Sequence, residues 1–403
     1  MDYSCIGIDF EGNMALVSYV NKNDYEPTTV STVVGGDDYQ IPVCVVKKKG
    51  IGQWLYGKDA VSYAKANKIK CESNLLERAE NQETVIIEGT EYALQDLFFF
   101  FLKKLMALPS KMGAVGNFDR IAITIENVTL KNMQLFWICM EKLKFPLNNL
   151  SVMDHRESFC HYVMHQEEDL KRHLAAMFEF CGDKLTLRLL TKNIKQKPVT
   201  VSVMEESLMY DNMDKDSFLL GIAKENFTGK MISSVYLTGD GFDGDWMKQS
   251  LKYLCSGRRV FLGKNLYSKG CCYAADLNND YVYLGENELK NNVSLKVTEH
   301  GLYKFIPLAE AGKNWYDQQF DYDIYVKGEP EIDLWVQETN GNKPKILTFV
   351  LKDWPKRKCD ITRVRVSSKP LSPKEIKISV KDLGFGEISQ STNAFSEYTL
   401  KLE

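Results

Sequence analysis

The chain has 403 residues, 44% of them hydrophobic and 26% charged, and its 51 basic side chains meet 54 acidic ones for a net charge of −3. At roughly 150 residues per domain this predicts two to three domains, and the composition excludes a largely disordered chain. Near-neutral charge excludes a global pull toward nucleic acid or acidic lipid, and no stretch approaches the ~20 apolar residues that span a bilayer.

At the start, Cys5, Gly7 and Asp9 alternate with Ile6, Ile8 and Phe10, and a second apolar run, 14–20, follows Glu11-Gly12-Asn13. Two strands around a tight turn are the natural reading. The opening MDYSCIGIDF has no basic segment followed by an apolar one, so no signal peptide is expected. Ten cysteines with no Cys-x-x-Cys pair then predict reduced thiols in a cytoplasmic protein. Residues 41–46 read as a strand, 59–68 as a helix and 84–88 as a strand. A strong helix is predicted over 92–106, with Leu94, Leu97, Phe98, Phe101, Leu102 and Leu105 on one face and Pro109 and Gly113 ending it. Strand 120–125, helix 130–143, strand 150–153 and helix 157–174 follow. A strand pair, 175–180 and 184–190, turns across Cys181-Gly182-Asp183. Next come strand 200–204, helix 218–225, strand 234–238 running into Gly239-Asp240-Gly241, helix 246–254 and a helix opening at 270–275.

Strands alternating with helices up to about 278 make this part α/β. The strand, glycine turn, strand pattern occurs at 5–20 and again at 176–190, which predicts two related halves. From about 281 helical periodicity disappears. Short strands at 293–297, 332–336, 346–350, 362–366, 376–380 and 398–402 are separated by turn chemistry at Asn340-Gly341, Pro370, Pro373 and Gly384-Phe385-Gly386, which predicts an antiparallel sandwich. The composition shifts near Asn278-Asn279-Asp280.

A glycine hairpin can cradle a phosphate, because backbone N–H groups at its tip point at an anion and glycine admits close approach. By itself such a hairpin is more often only a turn. His161 and His165 share a helix face, near His155 and His173, and Glu157 or Glu168 could complete a metal set. Without a Glu-His motif they read as surface residues. The three Asp of 239–246 lack the twelfth-position carboxylate of a calcium loop and read as a solvated turn. Cys271-Cys272 reads as small-residue packing. The run Lys356-Arg357-Lys358, with Arg363 and Arg365, reads as surface charge that could face an acidic partner.

The order of several motifs carries a resemblance that covers nearly the whole chain. Ile6-Gly7-Ile8-Asp9-Phe10 resembles the first phosphate loop of actin-like ATPases, closest to the DnaK-type heat-shock chaperones. Ile41-Pro42 with Gly57-Lys58-Asp59-Ala60, the strand 121–125, and the helix around Ser158 and Tyr162 resemble successive passages of that family. Residues 179–189 take the place of its second phosphate loop. Residues 235–241 resemble its adenosine motif, and 270–275 its closing "AxGAA" helix. Gly301 to Pro307 (GLYKFIP), 347–355 and 376–382 are similar to segments of its peptide-binding sandwich, and DLGFGEI at 382–388 is similar to an uncharacterised bacterial family of this architecture.

The resemblance implies a two-lobed actin-like (ribonuclease H-like) ATPase fold, with lobe I at 1–160 and a reduced lobe II at 161–280, followed by a β-sandwich at 281–403. It implies ATP or ADP with Mg²⁺ as cofactor and Asp9, Asp154 and Glu179 as catalytic carboxylates, Asp9 acting on the metal through water. It implies nucleotide contacts at Gly7, Gly12, Asn13, Gly182, Asp183, Lys184, Gly239, Asp240 and Gly241. The departures bear on function. The family's Gly-Thr-Thr after the first Asp is Glu11-Gly12-Asn13 here, and a carboxylate at Glu11 repels phosphate unless a metal intervenes. The second loop keeps one glycine of three. About 44 residues separate Leu190 from Val235, which leaves little room for an adenine-closing subdomain. Catalysis in this family needs preorganised donors and a Mg²⁺ site, so eroded loops predict an inactive or very weak nucleotide-binding scaffold acting through protein contacts. The alternative is an active chaperone-like ATPase whose nucleotide state drives the sandwich. A third reading has the sandwich binding extended peptides by strand addition. Protein or peptide partners are expected, and nucleic acid and membrane are not.

Overall fold

In the computed structural model, two hairpins built from the alternating segments organise the first part of the chain. It describes residues 1–33, 36, 38–112, 114, 117–195, 197–211, 214–276, 280–328, 331–339, 343–351, 354–355, 357 and 361–402. The expected boundary at Asn278-Asn279, the Asn340-Gly341 turn, the helix end at Gly113, Cys359 and two members of the basic run, Lys356 and Lys358, lie outside the described residues. The chain divides into two compact units, 1–193 with 201–280, and 281–403 with 194–200. No helix among the described residues is long and apolar enough to cross a membrane.

In the first unit, β1 (Cys5–Glu11) and β2 (Met14–Val20) form an antiparallel hairpin, and β3 (Arg120–Ile125) and β4 (Leu150–Asp154) extend the sheet in parallel in the order β4-β3-β1-β2. The second sheet repeats the scheme. β5 (Leu174–Cys181) and β6 (Lys184–Asn193) make the hairpin, and β8 (Ile232–Thr238) and β9 (Arg259–Leu262) run parallel beside β5. β7 (Val199–Met209) lies next to β6, giving β9-β8-β5-β6-β7. Both hairpins close through two residues, and Gly12 and Gly182 each have φ near +55°, a conformation that glycine adopts without strain.

Period-two alternation decides what each face of β1 meets. Ile6, Ile8 and Phe10 are buried on one side, where Phe10 lies 5.7 Å from Phe98 and 6.3 Å from Phe136. Those rings come from α1 (Leu94–Met106), which buries the six residues that its spacing predicted, and α2 (Leu130–Leu143). The other face of β1, with Gly7 and Asp9, meets α5 (Leu266–Ala274), which also crosses α3 (His155–Met164). A helix α4 (Lys215–Phe227) covers the second sheet, where Leu219, Ala223 and Phe227 pack with Phe178, Leu187 and Leu237. The crossings of α5 are made at glycines. A Cβ on Gly7 would collide with the Ser268 carbonyl, and one on Gly270 with the Ser158 carbonyl. Cys271 and Cys272, read as packing residues, are fully buried there.

Some boundaries differ from the sequence reading. Residues 41–46 are two strands, because Ile41–Pro42 pairs with β2 while Val45–Lys47 pairs with Trp54–Tyr56. Pro42 lacks the N–H that a continuous ladder needs. Helix α5 starts four residues before the expected Gly270. The expected helix 157–174 ends at Met164, with only a short turn, Glu168–Lys171, before β5.

The second unit holds two four-stranded antiparallel sheets. One runs β11-β10-β13-β14, from β10 (Asn291–Glu299), β11 (Leu302–Ala309), β13 (Glu331–Glu338) and β14 (Lys345–Val350). The other runs β12-β15-β16-β17, from β12 (Phe320–Lys327), β15 (Ile361–Ser372), β16 (Glu375–Asp382) and β17 (Phe395–Lys401). Their inner residues, among them Val293, Leu295, Leu334, Val364, Val366, Ile376, Ile378 and Val380, share one core. Strands β11 and β12 were not expected. β11 puts Leu302, Tyr303 and Phe305 outward and only its end, Leu308 and Ala309, into the core, so its apolar residues do not alternate with burial.

Asp382 closes β16. Its fully buried carboxylate accepts two bonds from Arg357 Nη2 at 3.0 and 2.7 Å, and others from the Gly384 and Thr392 amides and the Thr392 hydroxyl. Burial alone would raise its pKa, but Arg357 and these donors outweigh it and hold it down at about 2. Because the folded pKa is lowered, this stabilisation is present above the ordinary value of 3.8 and is lost as pH falls toward 2. Asp382→Asn leaves Arg357 buried without its counter-charge and is expected to cost about 3 kcal/mol at pH 7. Urea denaturation from pH 7 down to 2 checks this: the gap between wild type and variant should close at the acid end.

Candidate functional site

The two hairpins present equivalent positions to each other. Asp9 and Glu11 on β1 lie at the same distances from their turn as Glu179 and Cys181 on β5, and within each strand the two residues share a face. The tips meet directly: Cys181 Sγ donates to Glu11 Oε1 at 2.9 Å. Around them lies a cavity of about 400 Å³, lined by both hairpins and by the turn after β8.

Beneath the cavity is a buried charge network. Asp9 is 0% exposed, and its Oδ1 bonds His155 Nε2 at 2.9 Å while Oδ2 has no hydrogen-bond partner. His155 begins α3, and its ring stacks on Tyr267 of α5 with centroids 4.2 Å apart. Tyr267 Oη accepts a bond from Arg188 Nη1. Arg188, on β6, also donates to Glu179 Oε2 and Glu205 Oε2, both at 2.6 Å. Glu179 Oε1 is buried without a partner. Ser18 of β2 bonds Ser268 of α5 at 2.8 Å, and Ser158 Oγ donates to the Tyr267 carbonyl at 2.6 Å, which fixes the helix on the first sheet.

Desolvation sets the charge states here. Burial raises Asp9 above the ordinary carboxylate range, with His155 opposing. Burial would lower His155, but the facing Asp9 carboxylate more than offsets it. Burial pushes Glu179 up, yet Arg188 overcomes this and keeps it below its usual value. Burial, then Glu179 and Asp9, push Glu11 up to about 7, and burial beside Glu11 holds the Cys181 thiol well above the usual thiol range.

The expected site residues fall into three overlapping groups. Gly12, Glu179, Lys184, Gly239 and Asp240 line the cavity, with Asp9 directly below it through His155. A second group has its hydrogen-bonding capacity or its space taken. The Gly182 amide donates to Asp240 Oδ1 at 3.2 Å, and Lys184 Nζ pairs with Glu126 at 3.2 Å. A Cβ on Gly239 or Gly241 would collide with Phe180, so these glycines serve the packing of the β8 turn on β5. The third group is elsewhere. Gly7 is pressed on Ser268. Asp154 N-caps α3 through the Glu157 amide at 2.8 Å and is held by Arg156 at 2.6 Å. Asn13 accepts from the Asn74 amide and lines a separate cavity of about 310 Å³. Asp183 sits in the turn of the second hairpin and does not line the larger cavity.

His155, Arg188, Tyr267 and Cys181 complete the network and were not among the expected site residues. The signal for Arg188 was its place with Thr186 in the otherwise apolar 185–190. Of the histidines expected at the surface, His155 and His161 are buried, His165 is half-buried and His173 is exposed, and burial lowers His161 to about 4. Helix α3 is covered by α5 on that side, so a solvated face is not available there. Among the described residues, the side chains placed to hold a metal ion together are Glu11, Glu179 and Cys181, whose donor atoms all lie within 4.8 Å of one another.

Residues 26–286 match the C-terminal model of a family of unknown function, DUF5716, and residues 288–402 match a domain of unknown function, DUF8552. The first match covers more than half of the chain, and the chain belongs to that family. No curated protein matches it.

Arg188→Met should leave Glu179 buried without its cation and cost about 3–5 kcal/mol, read as a lowered urea midpoint. Glu11 has a raised folded pKa, so its contribution is present below the ordinary value of 4.5 and is lost as pH rises through about 7. In chelator-treated protein, Glu11→Gln should therefore match wild type near pH 4 and exceed it by about 2–3 kcal/mol at pH 8, measured by denaturation at each pH.

Proposed function

We propose that the first unit is a two-lobed actin-like fold that has lost nucleotide hydrolysis and acts as a scaffold through protein contacts. Support for the fold relation comes from the two sheets, each with a hairpin followed by parallel strands on the same side, and from a helix, α5, packed on the hairpin of the first. Support for lost hydrolysis comes from the fate of the donors. Phosphoryl transfer needs backbone amides and cations free to meet the γ-phosphate and its metal.

The observation that carries the reading is the bond from the Gly182 amide to Asp240. A carboxylate oxygen takes the amide that a phosphate oxygen needs, and its charge adds to that of Glu11 and Glu179 around the same cavity. The cations nearby are engaged as well, Lys184 by Glu126 and Lys264 by Asp243. An incoming triphosphate would have to displace these partners against unfavourable Coulomb energy.

For the second unit, an exposed outer face supports a protein-binding role. Tyr303, Phe305 and Ile346 are 75%, 50% and 49% exposed, and Phe305 meets Trp335 edge-on at 5.2 Å. Aromatic side chains of this kind supply contact area at low entropic cost.

Calorimetric titration of the full chain with ATP and ADP, with and without Mg²⁺, tests the proposal. No saturable heat at millimolar nucleotide, and hydrolysis equal to buffer, are expected. Saturable micromolar binding that disappears in Asp9→Ala would overturn it and favour a working ATPase.

A further inference from the structure

We propose that Glu11, Glu179 and Cys181 bind a thiophilic divalent cation of the zinc class at the meeting point of the two hairpin tips. Three observations carry this. One sulfur and two carboxylate donors lie within 4.8 Å of one another, on strand ends held in place by their hairpins. Glu179 is 8% exposed, and its Oε1 is buried without a hydrogen-bond partner, an arrangement that is costly unless something electropositive meets that oxygen. The cavity wall formed by Glu11, Glu179 and Cys181 leaves open volume beside them for a water or an external ligand.

The donor set selects the metal. Magnesium and calcium take oxygen ligands, and magnesium holds near-ideal octahedral geometry. A thiolate with two carboxylates suits zinc, which accepts sulfur and oxygen donors in a four-coordinate shell. Charge favours the same choice. With the Cys181 proton and any proton on Glu11 released to solvent, the three ligands carry three negative charges. Arg188, bonded to the other oxygen of Glu179, shares its positive charge between that carboxylate and Glu205. A divalent cation offsets two of the three ligand charges. Arg188 also orients Glu179 from outside the ligand set, as partners of metal-binding carboxylates do.

The inference does not rest on the proposed actin-like relation. Nucleotide binding would overturn that reading and leave the metal test unaffected.

The test is a Co²⁺ titration of the chelator-treated full chain, with Zn²⁺ as competitor. Saturation at one equivalent is expected, with a thiolate-to-cobalt charge-transfer band in the near ultraviolet that Zn²⁺ abolishes. Cys181→Ser should lose the band, and Glu11→Gln should keep it while weakening affinity at least about tenfold. Cys255→Ser, which removes an exposed cysteine, should leave both unchanged. Melting curves of the metal-free variants check folding, and if Cys181→Ser is unfolded then Glu11→Gln decides. A band that survives in Cys181→Ser, binding without a thiolate band, or affinity unchanged in Glu11→Gln would overturn the proposal.

Discussion

A guanidinium placed between two carboxylates and a phenol fixes how the halves of the first unit meet. Arg188 is 3% exposed, so its charge is held away from water and must be met by Glu179, Glu205 and Tyr267. Each partner comes from a different element, β5, β7 and α5. Moving any of them strands a charge in a poorly polarisable interior. The stacking of Tyr267 on His155, and the bond from His155 to Asp9, carry this constraint into the first sheet. Packing alone would leave the relative setting of the sheets adjustable. The polar chain from Glu205 to Asp9 specifies it.

The same network explains why the cavity is acidic yet ordered. Glu11, Glu179 and Asp240 share its wall, and each is restrained by a different donor: Cys181, Arg188 and the Gly182 amide. The compensation is local and incomplete, since Asp9 Oδ2 and Glu179 Oε1 are without partners. Burial, with neighbouring carboxylates adding to it, raises the pKa values of Asp9 and Glu11, whereas Arg188 keeps that of Glu179 low.

Much of the architecture was legible because alternation and helical spacing record burial directly. The hairpin at β1 and β2, helix α1 and the inner strands of the sandwich all follow from where apolar residues recur. Strand β11 escaped because its Tyr303 and Phe305 face outward, which inverts the usual signal. At the site, Asp9 and Glu179 came from the resemblance of their segments to phosphate loops. His155, Arg188 and Tyr267 were not legible, because only tertiary structure joins residues 146 and 79 positions apart. Asp154 shows the converse problem: an acid at a strand-to-helix junction reads alike as a catalytic group and as an N-cap, and here it caps α3. Glycines carry the same ambiguity. Gly7 and Gly239 look suited to phosphate, yet a backbone carbonyl occupies the space beside each.

Helix α5 touches its neighbours at Gly7 and Gly270 with backbone against backbone. Side chains interposed between elements can change rotamer and absorb a small sliding motion; bare backbone cannot, because repulsion rises steeply within a fraction of an ångström. The helix is therefore seated stiffly on β1 and α3, whereas its link to the second hairpin runs through the side chains of Tyr267 and Arg188 and keeps some freedom to adjust.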